Sequence, residues 1–122
     1  MEKIEPMYII PENINALKNA VVYQIAFGIN LITLSFDKGF LQFSGKFAIQ
    51  YDSTSVEYEE VYPVHSDYGL WRILEKKIVN VTLNEIRDAL ELEFEGGFIL
   101  KLFSHPQYES FTLNIDGNCT II

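Results

Sequence analysis

Positive charge is scarce in this chain. Nine lysines and arginines stand against 17 aspartates and glutamates, giving a net charge of -8 and a sequence pI near 4.6. Such a balance repels polyanions and argues against direct nucleic-acid binding. Cysteine is scarcer still: Cys119 is alone, so it forms no internal disulfide, and with no basic neighbour to lower its pKa it reads as a buried structural thiol. Residues 1–10 lack the basic start and apolar stretch of a secretion signal, and no apolar run approaches the length that spans a bilayer. The expectation is a cytoplasmic protein with no membrane anchor.

Groups suited to catalysis are few. His65 lies beside Pro63, Ser66 and Asp67, and His105 beside Ser104 and Pro106, both loop-like settings without a second ligand at a diagnostic spacing. Neither Ser66 nor Ser104 belongs to a G-x-S-x-G elbow, and Gly96-Gly97 is a turn rather than a phosphate cradle. The sequence therefore predicts no catalytic residue, no cofactor and no metal site, and replacing both histidines by alanine is expected to leave activity intact.

What is present is a folding chain of 122 residues, 48% hydrophobic and 21% charged, read as a single domain over 1–122. An internal repeat spans approximately 16–62 and 74–122. A shift of 58 residues aligns Val21, Tyr23 and Ile25 with Val79, Val81 and Leu83, and aligns Ile32, Leu34, Phe36 and Asp37 with Leu90, Leu92, Phe94 and Glu95. Further on, residues 47–52 match 111–116 at a longer shift.

Within each half the hydrophobic period is two, the mark of half-buried strands. Residues 90–95 alternate leucine or phenylalanine with glutamate and run into Gly96-Gly97. A loop of Glu95, Gly96 and Gly97 sets Phe94 against Phe98, Leu92 against Leu100 and Leu90 against Leu102, and places Glu91 opposite Lys101. For the first hairpin a loop of one more residue, 37–40, sets Phe36 against Leu41. Other strands are expected at 20–27, 46–51, 56–62, 78–83, 111–115 and 119–122, with short helices at 11–17 and at 67–76, the latter capped by Ser66 or Asp67. The fold class is mainly β: an antiparallel sandwich or partly open barrel built from two repeated β-meanders, with one or two short helices.

Between Phe47 and Trp71 there is no lysine or arginine, while acids and aromatics interleave. Asp52, Glu57, Tyr58, Glu59, Glu60, Tyr62, Asp67 and Tyr68 form the candidate partner-binding set, because carboxylates steer a basic partner and tyrosines supply contact area at low entropic cost. The competing view is that the aromatics alternate into the core and the acids only keep the surface wet. Glu91, Glu93 and Glu95 are a secondary candidate. Spaced roughly 7 Å apart on one strand face, they repel by only about 0.6 kcal/mol per neighbouring pair in water, so the stripe is tolerable without a purpose.

The run from Leu92 through Gly96-Gly97 to Phe103, followed by Tyr108-Glu109-Ser110-Phe111 and the terminal Asp116-Gly117-Asn118, resembles small bacterial immunity proteins of polymorphic-toxin and contact-dependent growth inhibition systems. Phe111 stands where such proteins commonly carry tryptophan. The resemblance implies inhibition by binding: a cognate protein toxin, basic and nuclease-like, whose active site this chain occludes. The alternative is a non-catalytic structural or protein-interaction domain of a bacterial cytosolic protein.

Overall fold

The computed structural model describes residues 14–61, 68–84, 89–103, 111–115 and 117–121. Ten strands account for most of them: β1 (Val22–Phe27), β2 (Ile32–Phe36), β3 (Gly39–Phe43), β4 (Phe47–Tyr51), β5 (Thr54–Tyr58), β6 (Ile78–Asn84), β7 (Ala89–Phe94), β8 (Ile99–Phe103), β9 (Phe111–Ile115) and β10 (Asn118–Ile121). Two four-residue 3-10 helices, Ile14–Leu17 and Leu70–Ile73, precede β1 and β6. No helix among the described residues is long and apolar enough to cross a membrane.

The strands form two antiparallel five-stranded sheets, β1-β2-β3-β9-β10 and β5-β4-β8-β7-β6. Neither is closed into a barrel, so the architecture is the sandwich. Each half of the chain gives three strands to one sheet and two to the other. The alternating side chains of both sheets meet in one core, where Leu34, Leu41, Leu92, Phe94 and Leu100 are fully buried.

An approximate two-fold relation runs through the backbone. Leu17 and Ile73 accept the N–H groups of Ala20 and Lys76, both at 2.9 Å. Asn19, at φ 75°, and Glu75, at φ 67°, each donate across to the other half, to Ile78 and Val22 respectively, both at 2.7 Å. Val21 and Lys77 bridge the two sheets between these bonds. Asp37 accepts the Val21 N–H at 3.0 Å, and Glu95 the Lys77 N–H at 3.0 Å. The register follows suit: Leu41 faces Leu113 between β3 and β9, and Leu100 faces Ile49 between β8 and β4.

The second hairpin has the expected register. Leu90, Leu92 and Glu91 face Leu102, Leu100 and Lys101, and Gly96 and Gly97, at φ 92° and 89°, supply the left-handed turn. The first hairpin differs. Its loop is Asp37-Lys38 alone, so Phe36 faces Gly39 and Leu34 faces Leu41. The pairing expected from a longer loop is slipped by two residues, a shift that leaves every side chain on its own face. Gly39 explains the observed register: a Cβ there would lie 1.9 Å from the Asn114 carbonyl oxygen on β9, so only glycine permits that approach.

Three further differences are similar. β5 begins at Thr54 rather than 56, because Asp52 and Ser53, at φ 50° and 65°, close a two-residue turn of type I′ character with Tyr51 facing Thr54. β1 and β6 correspond at a shift of 56, not 58: each carries a register irregularity, between Val22 and Gln24 and between Ile78 and Asn80. The helix expected at 67–76 is only Leu70–Ile73, preceded by Tyr68 and Gly69 in left-handed conformation, φ 56° and 76°. Its expected caps, Ser66 and Asp67, lie outside the described residues, as do both histidines.

Candidate protein-interaction face

β5 is the open edge of the second sheet, and every one of its residues but Tyr58 is exposed. Alternation along it sends Glu57 to the outer face and Tyr58 inward. Tyr58 stacks on Phe47 at 5.0 Å between ring centroids, and Tyr68 meets Phe47 edge-on at 5.2 Å and Tyr58 at 4.7 Å. Both tyrosines are half-buried against the core. The Tyr68 hydroxyl donates to the Val61 carbonyl at 2.8 Å. Burial, followed by the neighbouring Tyr58, pushes its pKa above the ordinary tyrosine value. Glu57 and Tyr58 thus point opposite ways.

The outer face of the second sheet gathers acids that are distant in sequence. One cross-strand row places Glu57, Ala48, Lys101, Glu91 and Thr82 side by side, and the next Ser55, Gln50, Ile99, Glu93 and Asn80. Lys101 pairs with Glu91 at 3.2 Å. Lys46 reaches Glu57 at 3.6 Å and Glu59 at 3.9 Å, and lies 5.2 Å from the Phe103 ring centroid. The Lys46 pairs are exposed and contribute little to stability, the Lys101–Glu91 pair is half-buried, and among the described residues two lysines against Glu57, Glu59, Glu91 and Glu93 leave the face negative. Glu60 is exposed next to Glu59.

The first sheet serves as an internal comparison. Its corresponding rows are Ala26, Thr33, Gln42, Thr112 and Ile121, and Gln24, Ser35, Phe40, Asn114 and Cys119. No charge occurs in either row. The charged face is therefore a property of one sheet, which the shared backbone plan does not require.

The remaining candidates are placed differently. Asp52 lies in the turn at the far end of β5 from Glu57. Glu95 spends one carboxylate oxygen on the Lys77 N–H, as Asp37 does on that of Val21, so this member of the 91–95 stripe has a structural task. Tyr62 and Asp67 lie outside the described residues. Among the described residues no group of three or more histidine, cysteine, aspartate or glutamate side chains is arranged to hold a metal ion. Glu57 and Glu59 share a face with Glu91 and Glu93, which the sequence offers only as two separate candidates; the Glu91 to Lys101 register, extended through β4 to β5, is the signal that joins them.

Comparison of this chain with protein-family models, with curated proteins and with solved structures finds no match.

Proposed function

We propose that this protein is a non-catalytic immunity protein that binds a basic, nuclease-like toxin and covers its active site with the outer face of the second sheet. The observation that carries the reading is the one-sided charge: Glu57, Glu91 and Glu93 stand on that sheet, with Glu59 just past the end of β5 beside Lys46, while the equivalent rows of the other sheet are uncharged. A toxin that grips RNA or DNA presents positive charge, and a carboxylate-rich face answers it as the phosphate backbone does. The open edge at β5 lets a partner approach without displacing another strand of this chain. The immunity resemblance of residues 92–118 supplies the class of partner.

The test is co-expression with the product of the gene adjacent to this protein's own, the position in which a cognate toxin is expected. The expected result is a purified complex in which the toxin's nuclease activity is lost and whose association slows as salt rises. A toxin that remains fully active in the presence of saturating protein, or an association rate indifferent to salt, refutes the proposal.

A further inference from the structure

At the turn end of the second sheet, away from Glu57, a hollow of about 240 Å³ is lined by Tyr51, Trp71, Arg72, Lys76, Glu95 and Phe98. We propose that this hollow binds a carboxylate carried on a flat aromatic group. Arg72 is held in place by rings: its guanidinium carbon is 4.7 Å from the Tyr51 ring centroid and 4.8 Å from that of Trp71. Stacking of this kind fixes a guanidinium without using its N–H groups, which keep the fork geometry that matches a carboxylate. Lys76 adds a second positive charge. In a chain of net charge -8, neither cation has an ion-pair partner among the described residues. Glu95 is the one acid in the lining, and it already accepts the Lys77 N–H.

The two-fold plan shows that the fold does not need this arrangement. Positions equivalent to Tyr51, Trp71, Arg72, Lys76 and Phe98 in the other half hold Ile115, Asn15, Ala16, Ala20 and Gly39. Ala20 and Ile115 are buried there, and the nearby Lys38 ammonium donates to the Ala16 carbonyl at 3.0 Å. One half has a satisfied lysine at this place, the other an open, aromatic-walled cationic hollow. Trp71 is 60% exposed, which gives a flat ligand a ring to lie against. The volume is below the range of about 300 to 1,000 Å³ typical of drug-sized sites, so the ligand is one ring with its carboxylate. Two sources share that chemistry, a free aromatic acid and the C-terminal aromatic residue of a peptide.

Trp71 is the chain's single tryptophan, so its fluorescence reports on the hollow directly. The full-length protein is titrated with benzoate, with N-acetylphenylalanine and with N-acetylphenylalaninamide, each at millimolar concentration. The two acids are expected to change the emission saturably and the amide not. Tighter binding of benzoate assigns the free acid, and tighter binding of N-acetylphenylalanine the peptide terminus. Arg72→Ala is expected to weaken the acid about tenfold or more, since it removes the charge-assisted fork. Should that variant fail to fold, Arg72→Lys and the exposed Lys76→Ala replace it, and both should weaken binding while melting as the unmodified protein does. No saturable response to either acid, an amide that binds as well as the acid, or folded variants that bind unchanged would each overturn the assignment.

Discussion

Truncating Leu92 to alanine probes the packing on which the sandwich depends. Leu92 is fully buried at the middle of β7, with Leu100 opposite it on β8 and Val81 on β6. No exposed neighbour can fold inward to fill the gap, because Leu90, Phe94 and Leu100 are themselves fully buried. The expected cost is thus that of a central leucine, about 2 to 5 kcal/mol. At about 2.1 cal/mol/K of unfolding entropy per residue, the 122-residue chain loses one degree of Tm for roughly each 0.26 kcal/mol, so the melting point should fall by about 8 to 20 °C. Leu34→Ala, at the equivalent place on β2 between Ile25 and Leu41, should cost a similar amount. Glu93→Ala on the outer face should change stability by no more than about 0.5 kcal/mol. Thermal and urea unfolding followed by circular dichroism measures all three. A Leu92→Ala cost below about 1 kcal/mol, in a protein where Leu34→Ala costs its full amount, would refute the placement of β7 in the sandwich.

Reversing Glu57, Glu59 and Glu60 to lysine should weaken binding of a basic toxin by at least about 2 kcal/mol, measured by calorimetry at two salt concentrations; reversing Glu91 and Glu93 should weaken it less, because Lys101 holds Glu91 at 3.2 Å, closer and less exposed than Lys46 holds Glu57 at 3.6 Å or Glu59 at 3.9 Å. Tyr68 has a raised pKa caused first by burial, so its neutral form is favoured in the folded state. Its contribution to stability is complete below the ordinary tyrosine value near 10 and is lost as pH rises through the folded value above it. Tyr68→Phe should therefore cost about 1 kcal/mol at neutral pH, through the lost bond to Val61, and should flatten the alkaline fall in urea midpoints. Gly39→Ala should strongly destabilise the chain, since its Cβ would meet the Asn114 oxygen at 1.9 Å, whereas Gly96→Ala meets nothing within 4 Å and should cost only about 1 kcal/mol for its left-handed φ; thermal melts distinguish the two.

Much of this architecture was legible in the sequence, and the errors have a common form. Alternation assigns each residue to a face, and residues 90–95 and 98–102 did so without ambiguity. A slip of two residues preserves every assignment. The first hairpin's register, the start of β5 and the offset between β1 and β6 were all misread by two for that reason. Only turn chemistry breaks the degeneracy, and at Asp52-Ser53 and Asp37-Lys38 the turn residues carry no Asn-Gly or Gly-Gly signal. The hollow at Arg72 was invisible for a different reason: Tyr51, Trp71, Lys76 and Phe98 come together only through the ends of β4 and β8 and the helix before β6, and no sequence spacing encodes that.

The halves of the chain are assembled crosswise, each contributing strands to both sheets. Since β4 and β5 complete the sheet begun by β6, β7 and β8, and β9 and β10 complete the other, neither half closes a sheet by itself. An isolated first half would leave β3 without β9 and one hydrogen-bonding edge of β4 without β8, whereas two copies of one half could supply each other. The single chain therefore has the plan of an exchanged dimer whose subunits are joined. In such a dimer both sheets would carry one sequence and both outer faces one chemistry. Joining the copies lifts that constraint. Here the backbone bonds at Asn19 and Glu75, at Val21 and Lys77, and at Asp37 and Glu95 keep their symmetry, because those bonds hold the sheets together. The outer rows have lost it, with threonine, serine and glutamine on one sheet against glutamate and lysine on the other, and so has the turn end, where Ala16 stands against Arg72. Symmetry persists where the fold depends on it and fails on the two surfaces proposed to bind, which is the pattern expected when those surfaces answer to partners rather than to folding.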